Sequence, residues 1–165
     1  MDVAGTAFQK VREEEIEPYV NALPIADLRD LENISLPAWR ARLKEGWKGE
    51  FVRVPGGPFL RDRFFVRAND ASMEPLVPNG ALCEFRIPSD ESPENKVVLA
   101  GLKTYAKRTP SVVMRRYQRL SVIQAGEVAE TTKIFLTSEN RTYPSLELRE
   151  GMDSIEILGE FEKLT

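Results

Sequence analysis

The chain has 165 residues, 42% hydrophobic and 30% charged, with a formal net charge of -3 and no histidine. That length supports one ordinary hydrophobic core and argues against a second large one. Without imidazole a Ser-His-Asp triad is excluded, and a single cysteine cannot fill a tetrahedral zinc shell; the negative balance argues against nucleic-acid binding by bulk charge, though not by local basic patches.

The N-terminal stretch MDVAGTAFQKVREEEIE lacks the basic head and apolar run of a signal peptide, and no apolar run is long enough to span a bilayer. A cytoplasmic protein with no membrane partner is expected. Thr6 with Gln9 reads as a capping box opening a short acidic helix that Pro18 disturbs. Ser35 followed by Pro37 signals a second helix, AWRARLKEG, with Trp39 and Leu43 on one face and a stop at Gly46. Residues 1–50 therefore read as a helical or loop-like arm.

From Phe51 the texture changes to short β-branched and aromatic runs punctuated by PGGP, VPNG, PSDESPEN, KRTPS and SENRTYPS. Strands are expected over 51–54, 64–68, 81–87, 96–102, 111–120, 133–136 and 155–161, which makes residues 51–165 one mainly β domain. Val97 to Ala100 are continuously apolar, as in a strand covered on both faces. Val113, Arg115 and Tyr117 alternate with Val112, Met114 and Arg116. Cys83 alternates with Phe85 and Ile87 and is expected to be buried. Gly56, Gly57 and Gly80 do not have the spacing of a phosphate-binding loop, and no cofactor is implied.

The run FFVRANDASMEPLVPNGALCEFR resembles the nucleophile segment of the LexA and UmuD self-cleaving serine peptidases, in which a strand leads to a Ser-Met pair, a turn and a second strand. VVLAGL, the hairpin to VVMRRYQRL, FLTSENRTYPSLEL and IEILGEF are similar to later stretches of that family, in the same order. The resemblance covers roughly residues 58 to 162, and ALPIADL at 22–28 resembles the approach to the family's cleavage-site loop. It implies a compact LexA-like β-fold with a Ser-Lys dyad, self-cleavage at an Ala-Gly bond and dimerisation through late strands. Ser72 would be the nucleophile, and the backbone N–H of Met73 would help form an oxyanion pocket. The bland reading of the same residues is a turn serine and a core-filling methionine.

The chain departs from that pattern where the chemistry needs it most. Laying VVMRRY on the family's lysine strand puts Arg115 at the position of the general base, and a guanidinium does not give up its proton in a protein. A second register, through YAKRT, would place Lys107 opposite Ser72, at the cost of ending the strand in a Thr-Pro-Ser turn; Lys103 is a further candidate base. Past LPIADL stands RDLENIS, bulky and charged, and the Ala-Gly pairs Ala4-Gly5, Ala100-Gly101 and Ala125-Gly126 all stand elsewhere in the sequence. Arg115 is also expected to pair with a carboxylate such as Asp70 or Glu74.

Lys103, Lys107, Arg108, Arg115, Arg116 and Arg119 concentrate positive charge in one hairpin. It reads either as a charged guard against strand pairing or as a surface for phosphate backbone or an acidic partner. Three functions follow as expectations. The first is an impaired LexA-like domain serving as a regulatory, dimerising or protein-interaction module; its CEFR strand and long hairpin resemble versions found with bacterial phage-defence and DNA-damage proteins. The second is an active Ser-Lys peptidase, and the third a nucleic-acid-binding accessory protein.

Overall fold

A computed structural model describes residues 9–11, 22–53, 62–103, 111–123, 126, 130–149 and 153–164. These residues are mainly β. The strands are β1 (Gln9–Val11), β2 (Ala22–Ala26), β3 (Phe51–Arg53), β4 (Arg63–Arg67), β5 (Leu82–Arg86), β6 (Val97–Lys103), β7 (Ser111–Ile123), β8 (Glu130–Thr137), β9 (Leu146–Leu148) and β10 (Ser154–Leu164). They form a mixed sheet in the order β1-β3-β2-β4-β5-β10-β6-β7-β8-β9, in which β2 and β4 are parallel and the other neighbours antiparallel.

All seven expected strands are present, β7 and β8 being longer than their apolar runs. The expectation of helix or loop before residue 50 needs correction, because Gln9–Val11 and Ala22–Ala26 are strands. The cause is tertiary: β1 and β2 both pair with β3, Gln9 and Ala22 each opposite Arg53, and that pairing overrides a local capping signature. Thr6 lies outside the described residues. Pro24, with no N–H to offer a ladder, stands where β2 leaves β3 to pair through Ile25 and Ala26 with β4.

The helix α1 (Leu36–Glu45) forms as its signals require. Ser35 caps it by accepting from the Ala38 N–H at 3.2 Å, Pro37 occupies its first turn, and Gly46 ends it at φ 118°. The Leu36 N–H donates to the Glu156 carboxylate of β10, fixing the helix start against the sheet. Trp39 is fully buried, edge-on to Trp47 at 5.6 Å and to Phe64 at 5.0 Å. Residues 35–47 thus contribute to the main core with β4 and β5. Gly159 is required there: a Cβ would lie 2.8 Å from the Phe64 ring and 3.3 Å from the Phe85 Cβ.

The unbroken apolar run of β6 has a direct structural counterpart. Val97 and Leu99 pack into the core of Trp39, Phe64, Phe85 and Leu158, while Val98, Ala100 and Leu102 pack into a second cluster with Tyr117 and Leu136. Side chains alternate across a strand, so β6 has apolar cover on both faces. It sits between β10 and β7 as a rigid spine. Cys83 is buried, and burial raises its thiol to about 11, opposed by the Arg67 charge.

Glu160 is 2% exposed and bonded to the Lys96 ammonium at 2.8 Å and the Ser89 N–H at 2.9 Å, with Arg86 at 3.7 Å. Burial alone would raise its pKa, but these hydrogen bonds and the two cations outweigh it and hold the carboxyl below its ordinary value. A depressed folded pKa stabilises above the unfolded carboxylate value of about 4.3 and is lost as pH falls through the folded one. Glu160→Gln should lower stability near neutrality by about 1–2 kcal/mol, because Lys96 and Arg86 are a third exposed and partly screened. It should also flatten the loss of stability on acidification, as read by urea unfolding across the acid range.

Candidate functional site around Ser72

Ser72 lies in the loop that joins β4 to β5. Two backbone bonds close the base of that loop, Ala68 N–H to Ala81 C=O and Gly80 N–H to Ala68 C=O, both 2.9 Å, and Gly80 supplies the positive φ of 86° the turn needs. Within it the Asp70 carboxylate accepts from the Ser72 N–H at 2.9 Å, an Asx turn that sets the serine's direction. The Val77 N–H donates to Met73 C=O at 2.8 Å, and the Glu74–Pro75 peptide is cis. Ser72 and Met73 are 1% and 2% exposed. A serine so deeply placed meets only what the fold puts beside it.

What the fold puts there is Arg115. Its Nη1 donates to Ser72 Oγ at 2.6 Å and to the Met114 C=O at 2.8 Å. Arg115 stands on β7 opposite Val98 of the spine, the strand with apolar cover on both faces. Arg115 as a residue is 8% exposed, and its Nε is buried without a partner. Burial draws its pKa down, with Asp70 and then Tyr143 opposing. Among the described residues no carboxylate forms an ion pair with it. The expected pairings therefore do not form: Asp70 accepts from the Ser72 N–H, and Glu74 from the Asn79 N–H at 3.3 Å.

The turn after β8 contributes residues that sequence reasoning did not single out. Asn140 donates its backbone N–H to Ser72 C=O at 2.9 Å and its side-chain amide to Ala71 C=O at 3.0 Å, while its carbonyl accepts from the Thr142 N–H and hydroxyl. Glu139, next to it, accepts from Nε and Nη2 of Arg116 at 2.8 and 2.6 Å, and Arg116 Nη1 reaches the Asn95 C=O at 2.6 Å. Arg116 is thus engaged internally instead of forming part of a free basic face. The signal was available in the SENRTY stretch, but an asparagine in a turn has too many local uses to be assigned one from sequence.

Of the remaining candidates, Lys103 is exposed at the end of β6 and Arg119 is exposed on β7. Lys107, Arg108, Ala4-Gly5 and Ala125 lie outside the described residues. Among the described residues, Arg115 is the one side chain hydrogen-bonded to the Ser72 hydroxyl. No group of three or more potential metal-ligating side chains comes together among them.

A cavity of about 80 Å³ adjoins Ser72, bounded by Leu28, Asn69, Asp70, Met73 and Met114 among others. Leu28, Ala68 and Asn69 also border a groove of about 930 Å³ that extends past Asp27, Trp47 and Arg67. The chain enters this region from β2 and then winds into a short 3-10 helix, Leu28–Leu31, closed by a capping box between Asp27 and Asp30. Residues 28–31 are therefore not extended across the serine.

No family model matches this chain, and no curated protein matches it in sequence. Its chemistry rests on its own geometry. Ser72 Oγ accepts a hydrogen bond from a cation that has no basic lone pair to offer, so the contact orients the hydroxyl and does not activate it.

Asn140→Ala should cost about 1–2 kcal/mol in stability, since it leaves the Ala71 carbonyl without its donor. Amide hydrogen exchange should rise at Ser72 and Met73 while β6 keeps its protection. Unchanged exchange at Ser72 and Met73 would show that the turn does not hold the serine loop.

Proposed function

We propose that this chain is a LexA-like serine-peptidase-fold domain in which proteolysis is lost, acting as a regulatory, dimerising or protein-interaction module in the bacterial cytoplasm, in a phage-defence or DNA-damage setting. The observation that carries the reading is the 2.6 Å contact from Arg115 Nη1 to Ser72 Oγ. A serine nucleophile must hand its proton to a base as it attacks, and the guanidinium stays protonated throughout the physiological range. A lysine in the same place would differ in kind, because burial can bring an ammonium to neutrality.

Two further features support the reading. The 3-10 helix after β2 turns the chain away from the extended form that a scissile segment needs, and no Ala-Gly pair stands near it. The engagement of Arg116 by Glu139 and Asn95 weakens the case for the hairpin as a phosphate-binding face. That no helix among the described residues is long and apolar enough to cross a membrane is compatible with the cytoplasmic setting.

Incubation of the purified protein at mildly alkaline pH, followed by intact-mass spectrometry, tests the assignment. The expected result is that any fragments are the same in wild type and Ser72→Ala, and that an acylating serine probe leaves Ser72 unlabelled. Fragments that disappear in Ser72→Ala would overturn it and restore the Ser-Lys reading with Lys107 or Lys103 as base.

A further inference from the structure

Positive charge gathers along one side of α1. Arg40 and Lys44, one helical turn apart, line a hollow of about 500 Å³ together with Arg86 of β5, Asp62, Pro88 and Ser89. The hollow shares no lining residue with the Ser72 cavity. Its guanidiniums hold donors in reserve. Arg40 reaches the Pro88 C=O through Nη2 at 3.5 Å, and its Nε and Nη1 have no partner among the described residues. Arg86 uses Nε on Glu162 at 3.0 Å and Nη2 on Glu160 at 3.7 Å, which leaves Nη1 unengaged.

The carboxylates nearby do not cancel this charge. Glu160 is shared with Lys96 at 2.8 Å and Glu162 with Arg63 at 3.3 Å, so neither belongs to Arg86 alone. Asp62, the one carboxylate in the lining, has its side chain 60% exposed and lies 3.9 Å from Arg63 Nε. Three cations therefore face one carboxylate, and that carboxylate already stands beside a fourth. The groove of about 930 Å³ differs, since it sets Arg42, Lys48 and Arg67 against Asp27, Asp30 and Glu50. Its charges balance, whereas the smaller hollow stays positive in a chain of net charge -3.

Charge complementarity selects an anion as the occupant. No aromatic ring lines the hollow, so a base has nothing to stack on and recognition falls to phosphate. Asp62 opposes a doubly charged phosphomonoester more than a singly charged phosphodiester. Arg42, exposed and without a hydrogen bond or ion pair among the described residues, extends the cationic surface along α1. That extension suits an anion repeated along a polymer.

We propose that this side of α1, with Arg86, binds the phosphodiester backbone of a nucleic acid. Arg40, Lys44 and Nη1 of Arg86 contact phosphates, and recognition is independent of base sequence. The inference goes beyond the loss of proteolysis and does not depend on Ser72. It places the phosphate-contacting surface on the helix, where the sequence drew attention to the hairpin 103–119.

A fluorescein-labelled DNA duplex of about 20 base pairs and its single strand, titrated with the full chain and read by anisotropy, test the proposal. The expected result at about 50 mM salt is saturable binding with Kd on the order of 10–100 µM, and a log–log salt slope on the duplex of about -3 for three phosphate contacts. Arg40→Gln and Lys44→Gln should each weaken binding and reduce the slope by about 1, while Lys103→Gln and Arg119→Gln leave both unchanged. Asp62→Asn should tighten binding roughly threefold, a gain that a folding defect does not produce. No saturable binding of duplex or single strand, polyglutamate bound as tightly as DNA, or weakening confined to the hairpin variants would each overturn the proposal.

Discussion

An arginine buried against a serine hydroxyl, with no ion-paired carboxylate among the described residues, is the constraint around which this cleft is arranged. Moving a cation out of water costs several kcal/mol even after relaxation. Two hydrogen bonds from Nη1 return about 1.5–3 kcal/mol each as charge-assisted contacts, and the field of Asp70 adds to them without an ion pair. The remainder must be carried by the scaffold. Arg115 stands on β7 directly opposite Val98 of the doubly covered spine, whose packing supports its backbone.

The same scaffold fixes the other half of the contact. Ser72 is held from three sides, by Asp70 through its own N–H, by Asn140 through its carbonyl, and by Arg115 through its hydroxyl. Asn140 is held in turn through its neighbour Glu139, which Arg116 ties back to β7. Adjacent residues of one strand thus reach the serine loop by two routes, Arg115 directly and Arg116 through the turn after β8. The far side of the sheet is pinned by Glu160, whose cations bind β10 to β5 and to the segment entering β6.

Much of this was legible in the sequence where local pattern and tertiary role agree. The run from Val97 to Ala100 gave a strand with two covered faces because periodicity reports burial directly. Ser35, Pro37 and Gly46 bounded α1 because capping is local chemistry. β1 and β2 were not legible, being three and five residues long and formed by partners distant in sequence, and β9 is a three-residue strand too short to show a pattern. At the site, the nearness of Arg115 to Ser72 was anticipated only through a likeness to a family's strand order; no spacing rule links residues 43 apart. Asn140 stood within the FLTSENRTYPSLEL likeness, but its sequence context fits an ordinary turn and assigned it no role.

The expected partners of Arg115 illustrate the limit most clearly. Composition offers Asp70 and Glu74 within a few residues of Ser72, and charge pairing alone would join either to the guanidinium. In the structure both carboxylates are turned to backbone N–H groups of the same loop, at Ser72 and Asn79. A carboxylate that closes a tight turn satisfies a donor the loop would otherwise leave unmet, and it does so without displacing the serine. The loop's own hydrogen bonding therefore takes precedence over neutralising the strand opposite. The charge left over is a consequence of building a stable turn around Ser72.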